Sequence, residues 1–126
     1  GAHGSTYGGN PVACAAALAT IPLLEGGLVE NAAARGAQAL AGLAEIGRAN
    51  HEVVTDVRGR GLMLGIEFDS PERAEAVQWA AFQRGLLVLE CGVKTVRLCP
   101  PLIVSEPEMA TALRILGEAV GAAAKT

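Results

Sequence analysis

Residues 62–68 read Leu-Met-Leu-Gly-Ile-Glu-Phe, so Leu62, Leu64, Ile66 and Phe68 share one face while Met63, Gly65 and Glu67 share the other. Only an extended strand with one buried side keeps such a set together, because side chains in a strand repeat every two residues. The chain must therefore build a sheet with one covered face. Val53, Thr55 and Val57 alternate in the same way just upstream, and the second alternating run follows Arg58-Gly59-Arg60-Gly61. Further on, Leu86–Leu89 reads as a short apolar strand. Thr95–Cys99 reads as another, with Val96 and Leu98 set against Thr95, Arg97 and Cys99.

The remaining segments have the helical period. Asn10-Pro11 is a cap followed by a proline that has no donor to lose at the first helical position, so a helix is predicted from Val12 to Leu24. Pro22 falls inside it and should kink it or end it early. Gly26-Gly27 is the break. Leu28, Ala32, Ala39, Leu40 and Leu43 then mark a second helix ending near Gly47. Ser70-Pro71 repeats the start signal, with Ala74, Val77 and Ala81 as the stripe and Gly85 as the stop. Ser105 and Glu108 have capping-box spacing before Met109, Leu113, Leu116, Val120 and Ala124. The order helix, helix, strand, strand, helix, strand, strand, helix predicts an α+β fold: a small, mainly antiparallel sheet with its helices on one face.

Composition excludes several kinds of function. Ten Lys and Arg against thirteen Asp and Glu leave a net charge of −3, which gives no electrostatic basis for a nucleic-acid partner. No uninterrupted apolar run approaches the length of a bilayer crossing, so no membrane partner is expected. Three cysteines without close pairing, Cys14, Cys91 and Cys99, suit a reducing cytoplasm better than a disulfide framework. His3 and His51 lack metal-ligand spacing to Cys or Glu, so no metal site is expected. With 24 Ala and 16 Gly but only four aromatic residues, the core must rest on Leu, Ile and Val.

Two places can bind an anion. Gly1–Pro11 is a glycine-rich loop with adjacent hydroxyls, Ser5 and Thr6, running into a helix N-terminus whose amides and dipole favour negative charge. Most such loops only make tight turns. Arg97 projects from the face opposite Val96 and Leu98, where a planar guanidinium can grip a carboxylate. An ordinary solvated or internally paired arginine is the plainer reading. Lys94 and Lys125 are the only amines able to act as nucleophiles, and nothing around them in the sequence points to activation.

Gly-Ala-His-Gly-Ser-Thr-Tyr-Gly-Gly-Asn-Pro at residues 1–11 resembles the loop that follows the catalytic lysine segment in class III, pyridoxal-phosphate-dependent aminotransferases. Residues 57–67 and the pair 89–92 and 96–102 resemble two further blocks of that family, in the same order. The resemblance implies the C-terminal part of a fold-type-I enzyme. Residues 1–25 would form the cofactor-phosphate loop and the helix leading to a large domain, and residues 26–126 the small domain. It implies pyridoxal 5'-phosphate as cofactor, amino-acid and 2-oxo acid substrates, and a homodimer in which Thr6, with Ser5 beside it, reaches the cofactor phosphate of the neighbouring subunit. Arg97 would hold the substrate carboxylate. The family lysine lies upstream of these motifs, so this piece alone is expected to be inactive. Glu90-Cys91-Gly92 suggests a 4-aminobutyrate-like ω-amino donor, with an acetylornithine type as the alternative. A non-enzymatic anion-binding module and a ligand-free dimerisation domain are the readings outside that family.

Overall fold

The computed structural model describes residues 3–125. Gly1, Ala2 and Thr126, and with them the first two residues of the glycine-rich opening, lie outside the described residues. Helix α1 spans Pro11–Leu23 and α2 spans Val29–Ala49, joined by a wide turn at Leu24–Leu28. Strands β1 (Val54–Arg60) and β2 (Met63–Phe68) come next, then α3 (Pro71–Gln83), β3 (Leu89–Cys91), β4 (Thr95–Leu98) and α4 (Glu106–Ala123). The four strands form one antiparallel sheet in the order β1-β2-β4-β3.

Local chemistry accounts for most boundaries. The Asn10 side chain accepts from Ala13 N at 2.9 Å, and the Ser70 hydroxyl accepts from Arg73 N at 3.2 Å. Both helices have proline in the first turn, where a missing N–H costs nothing. At α4 the capping box is complete: Ser105 Oγ accepts from Glu108 N, and Glu108 Oε2 accepts from Ser105 N at 2.8 Å. The same contacts, the hydroxyl first and the backbone amide second, hold the Glu108 carboxyl below its ordinary range. Gly85 ends α3 with φ of 85°.

The covered face of the sheet is the one the alternation marks. Ile66, Phe68 and Val96 are fully buried, Leu64 and Leu98 nearly so, and they meet Leu43 of α2, Val77 of α3, and Met109, Leu116 and Val120 of α4 in one core. Helices α2 and α3 lie against the strands, and α4 packs on both of them. Asn31 of α2 donates to the carbonyls of Leu102 (2.7 Å) and Val104 (3.0 Å), fixing the loop between β4 and α4.

Four details depart from the sequence reading. In β1 the register slips between Val54 and Asp56, so Val54 turns inward and Thr55 is exposed instead of sharing a buried face with Val53 and Val57. A bulge adds one residue and moves the later side chains of the strand to the opposite side. The third strand starts at Leu89 and not at Leu86, because Leu86–Val88 is spent returning the chain from α3. On α2, Gly36 is buried and Leu40 is exposed. Pro22 lies inside α1, which runs on to Leu23; the helical dihedrals break only at Gly27, whose φ of 123° is open to glycine.

Helix α1 stands apart. None of its residues is buried, and it touches only the turn that joins it to α2. Val12 and Leu18 are 80% and 72% exposed. The helical stretch Pro11–Ala49 contains an 18-residue window of mean hydropathy 1.8, so by length and composition it is apolar enough for a bilayer crossing, although no uninterrupted apolar run marks it. A helix apolar on all sides is normally enclosed by other protein or lipid.

At Gly36 an added methyl group would lie within 2.6 Å of Gly61 Cα, so Gly36→Ala should destabilise the fold by about 2 kcal/mol in urea unfolding, the overpacking exceeding the helix-propensity gain of about 1 kcal/mol. Sedimentation of the chain by itself should show concentration-dependent association through α1, suppressed by Leu18→Lys with Ile21→Lys.

Candidate functional site

The uncovered face of the sheet carries the polar residues in rows set by the strand register. One row runs Asp56, Glu67, Thr95, Cys91; the next runs Arg58, Gly65, Arg97, Leu89; and Arg60 opposes Met63 beyond them. Along β2 and β4 alternation dictates this: Gly65, Glu67, Thr95 and Arg97 each adjoin a residue whose side chain enters the core. Gly65 leaves the floor between Arg58 and Arg97 low, and a Cβ there would press on Thr95 Cγ2 at 3.1 Å. A cleft of about 620 Å³ results, lined by Arg58, Arg60, Met63, Cys91, Arg97 and Cys99 among others.

The two arginines that flank Gly65 differ in what they hold. Arg58 Nη1 lies 2.6 Å from Asp56 Oδ2 and 2.8 Å from Glu67 Oε2, and its Nη2 donates to Thr95 Oγ1 at 3.1 Å. Thr95 Oγ1 in turn donates to Glu67 Oε2 at 3.3 Å, and Lys94 Nζ stands 3.6 Å from Glu67 Oε1. The hydrogen bond from Arg58 is the main cause that holds the Glu67 carboxyl below its ordinary range, against the opposing effect of desolvation. Bonds to Asp56 and then Glu67 raise Arg58 in turn. Arg97, by contrast, makes no hydrogen bond or ion pair among the described residues and is exposed. The free guanidinium stands where the alternation of β4 puts it. Sequence reasoning missed the Arg58–Asp56–Glu67 cluster, although the period-two placement of Glu67 on the outer face was a sign of it.

Ser5 and Thr6 lie in the exposed loop before α1, and neither hydroxyl has a hydrogen-bond partner among the described residues. The structure does not bring them to Arg97, since α1 makes no contact with the sheet. No group of three or more metal-ligating side chains occurs among the described residues.

Residues 1–120 match the family model described as aminotransferase class-III. The chain belongs to that family. It is 45% identical over 123 residues, 95% of this chain, to an acetylornithine aminotransferase of Synechocystis sp., and 49% identical over 117 residues, 92% of this chain, to one of Gloeobacter violaceus. Among solved structures, an acetylornithine aminotransferase from Elizabethkingia anophelis superposes with a TM-score of 0.86 at 31% identity, covering 97% of this chain and 31% of that one. The chain spans 29% of the length of the two curated relatives. Its α+β architecture is that of a fold-type-I aminotransferase domain.

Aminotransferases of this class use pyridoxal phosphate, and the residues present fit one end of it. Two unengaged hydroxyls beside a helix N-terminus suit its phosphate. For the amine that would hold its other end there is no such fit: Lys94 is engaged by Glu67, and Lys125 comes after the last helix.

The Glu67 pair should show in pH dependence. A lowered carboxyl pKa stabilises the fold above its ordinary value of 4.5, and that contribution is lost as pH falls through the folded value. Arg58→Met should move the Glu67 titration upward, as read by carboxyl carbon-13 resonances, and flatten the acid limb of the stability profile.

Proposed function

We propose that this chain supplies the carboxylate-binding part of a pyridoxal-phosphate-dependent aminotransferase that takes an acetylornithine-type amino donor and a 2-oxo acid acceptor. The observation that supports it above all is Arg97, exposed in the cleft and unpaired while Arg58 takes both neighbouring acids. The donor expected from Glu90-Cys91-Gly92 gives way here. That tripeptide is the end of β3 and its hairpin turn, with Gly92 at φ of 67°, so turn geometry accounts for it. The relatives from Synechocystis and Gloeobacter are named for acetylornithine.

When bound, pyridoxal phosphate supplies the electron sink that lets an amino group leave one carbon and join another. This chain's own part is placement. A planar guanidinium makes two parallel hydrogen bonds to a carboxylate, which fixes the direction in which the rest of the substrate extends. Met63 is exposed in the same cleft and suits the methylenes of an ω-amino acid. Fixing one end of the donor turns its distant amine into a reactant of high effective concentration.

Thr6, assisted by Ser5, would bind the cofactor phosphate of a neighbouring subunit in a homodimer. That reading is supported by the lack of contact between α1, which follows this loop, and the sheet that carries Arg97. The division into a linking segment, residues 1–25, and a small domain, residues 26–126, is supported by the break at Gly27 and the bare surface of α1. An α1 without buried residues suits enclosure by a large domain. The whole protein's covalent chemistry then depends on a lysine outside this chain, and the chain alone has no transaminase activity.

The test uses the full-length protein that carries this chain. Arg97→Ala should raise KM for acetylornithine about tenfold or more, since hydrogen bonds to charged groups contribute about 1.5–3 kcal/mol. KM for a primary amine without a carboxylate should hardly change. Equal increases for both amines would make Arg97 structural and sink the reading.

A further inference from the structure

Glu67 is the acid best placed to spoil the site. It lies opposite Thr95, two residues along β4 from Arg97, on the same uncovered face. Diagonal neighbours of this kind stand roughly 7–8 Å apart, within reach of long side chains. A glutamate free to swing would pair with Arg97 and compete with any incoming carboxylate. It does not swing, because it is held from two sides: Arg58 Nη1 at 2.8 Å and Thr95 Oγ1 at 3.3 Å take one oxygen, and Lys94 Nζ at 3.6 Å faces the other.

The direction of the Arg58 side chain is the second observation. Its own row contains Gly65 and Arg97, yet its guanidinium reaches along the sheet to Asp56 and Glu67 in the adjacent row. Leaning that way takes its charge to the acids and leaves the floor above Gly65 to Arg97. Two cations over one glycine would otherwise repel each other, and the acid beside them would be unclaimed.

We infer that Arg58 is a positioning residue that keeps Arg97 available by confining Glu67. It touches no substrate in this role; it removes a competitor from the carboxylate's binding partner. The inference rests on the reading of Arg97 as the carboxylate clamp.

In the full-length protein carrying this chain, Arg58→Met should raise KM for the carboxylated donor about fivefold, the competition an exposed ion pair can offer, with kcat little changed. Adding Glu67→Gln to that variant should return KM to near the parent value, because the competitor is then gone. Arg58→Lys, which keeps a charge near Glu67, should fall between parent and Arg58→Met. A readout without turnover accompanies these: phenylglyoxal should modify Arg97 several-fold more slowly in Arg58→Met than in the parent, and Glu67→Gln should restore the rate. If Arg58→Met does not fold, Lys94→Met loosens the same glutamate, and a smaller KM increase reversed by Glu67→Gln is expected. Failure of Glu67→Gln to reverse the increase in KM, or an unchanged Arg97 modification rate, overturns the inference. If instead Arg97→Ala leaves KM unchanged while the modification rates behave as expected, the carboxylate reading has failed and the confinement of Glu67 stands.

Discussion

One-sided burial of the sheet is the constraint from which the rest descends. Leu64, Ile66, Phe68, Val96 and Leu98 can leave water only on one side of β2 and β4, and α2 and α3 close over that side with α4 packed on both helices. Every residue between them is thereby driven to the opposite face. Glu67, Thr95 and Arg97 are polar neighbours because their apolar companions in the strand needed the core. Charges stay on an accessible surface at small desolvation cost, which is the condition for a guanidinium to remain both ionised and unclaimed.

The uncovered face then sorts its charges by reach. Arg58 has two carboxylates and a hydroxyl within hydrogen-bond distance, and Glu67 has two donors with the Lys94 ammonium 3.6 Å from its other oxygen. Arg97 has none among the described residues. Glycine at position 65 contributes by absence of a side chain, leaving room over the sheet between the two arginines. This face of a class-III aminotransferase domain thus presents an exposed guanidinium whose neighbouring acids, Asp56 and Glu67, are already paired with Arg58. The other end of the chain contrasts with this charged face: α1 is apolar and has no buried residue.

Much of this was legible in the amino-acid order. The four strands, four helices and the capping box arise from periods and local pairs of residues, and Arg97 was placed on the outer face from alternation alone. Apart from the late start of β3 at Leu89, the readings that failed were those in which a single residue altered a regular pattern. One extra residue in β1 turned Thr55 outward, and Gly36 was buried because α2 approaches the turn at Gly61 too closely for a side chain. Pro22 had the chemistry of a break but sat one turn before a glycine that makes the break more cheaply.

The sequence by itself determined which residues would be helical or extended, which strand face would be buried and which families of motifs the chain carries, because those properties depend on neighbours a few positions apart. Only the tertiary structure decided which arginine is free. Arg58, Glu67 and Arg97 come from three strands, and their roles depend on the order β1-β2-β4-β3 and on a register that sets Glu67 beside Thr95 and Gly65 between the two guanidiniums. Charge pairing acts over a few ångströms in space, and no spacing along the chain encodes that distance.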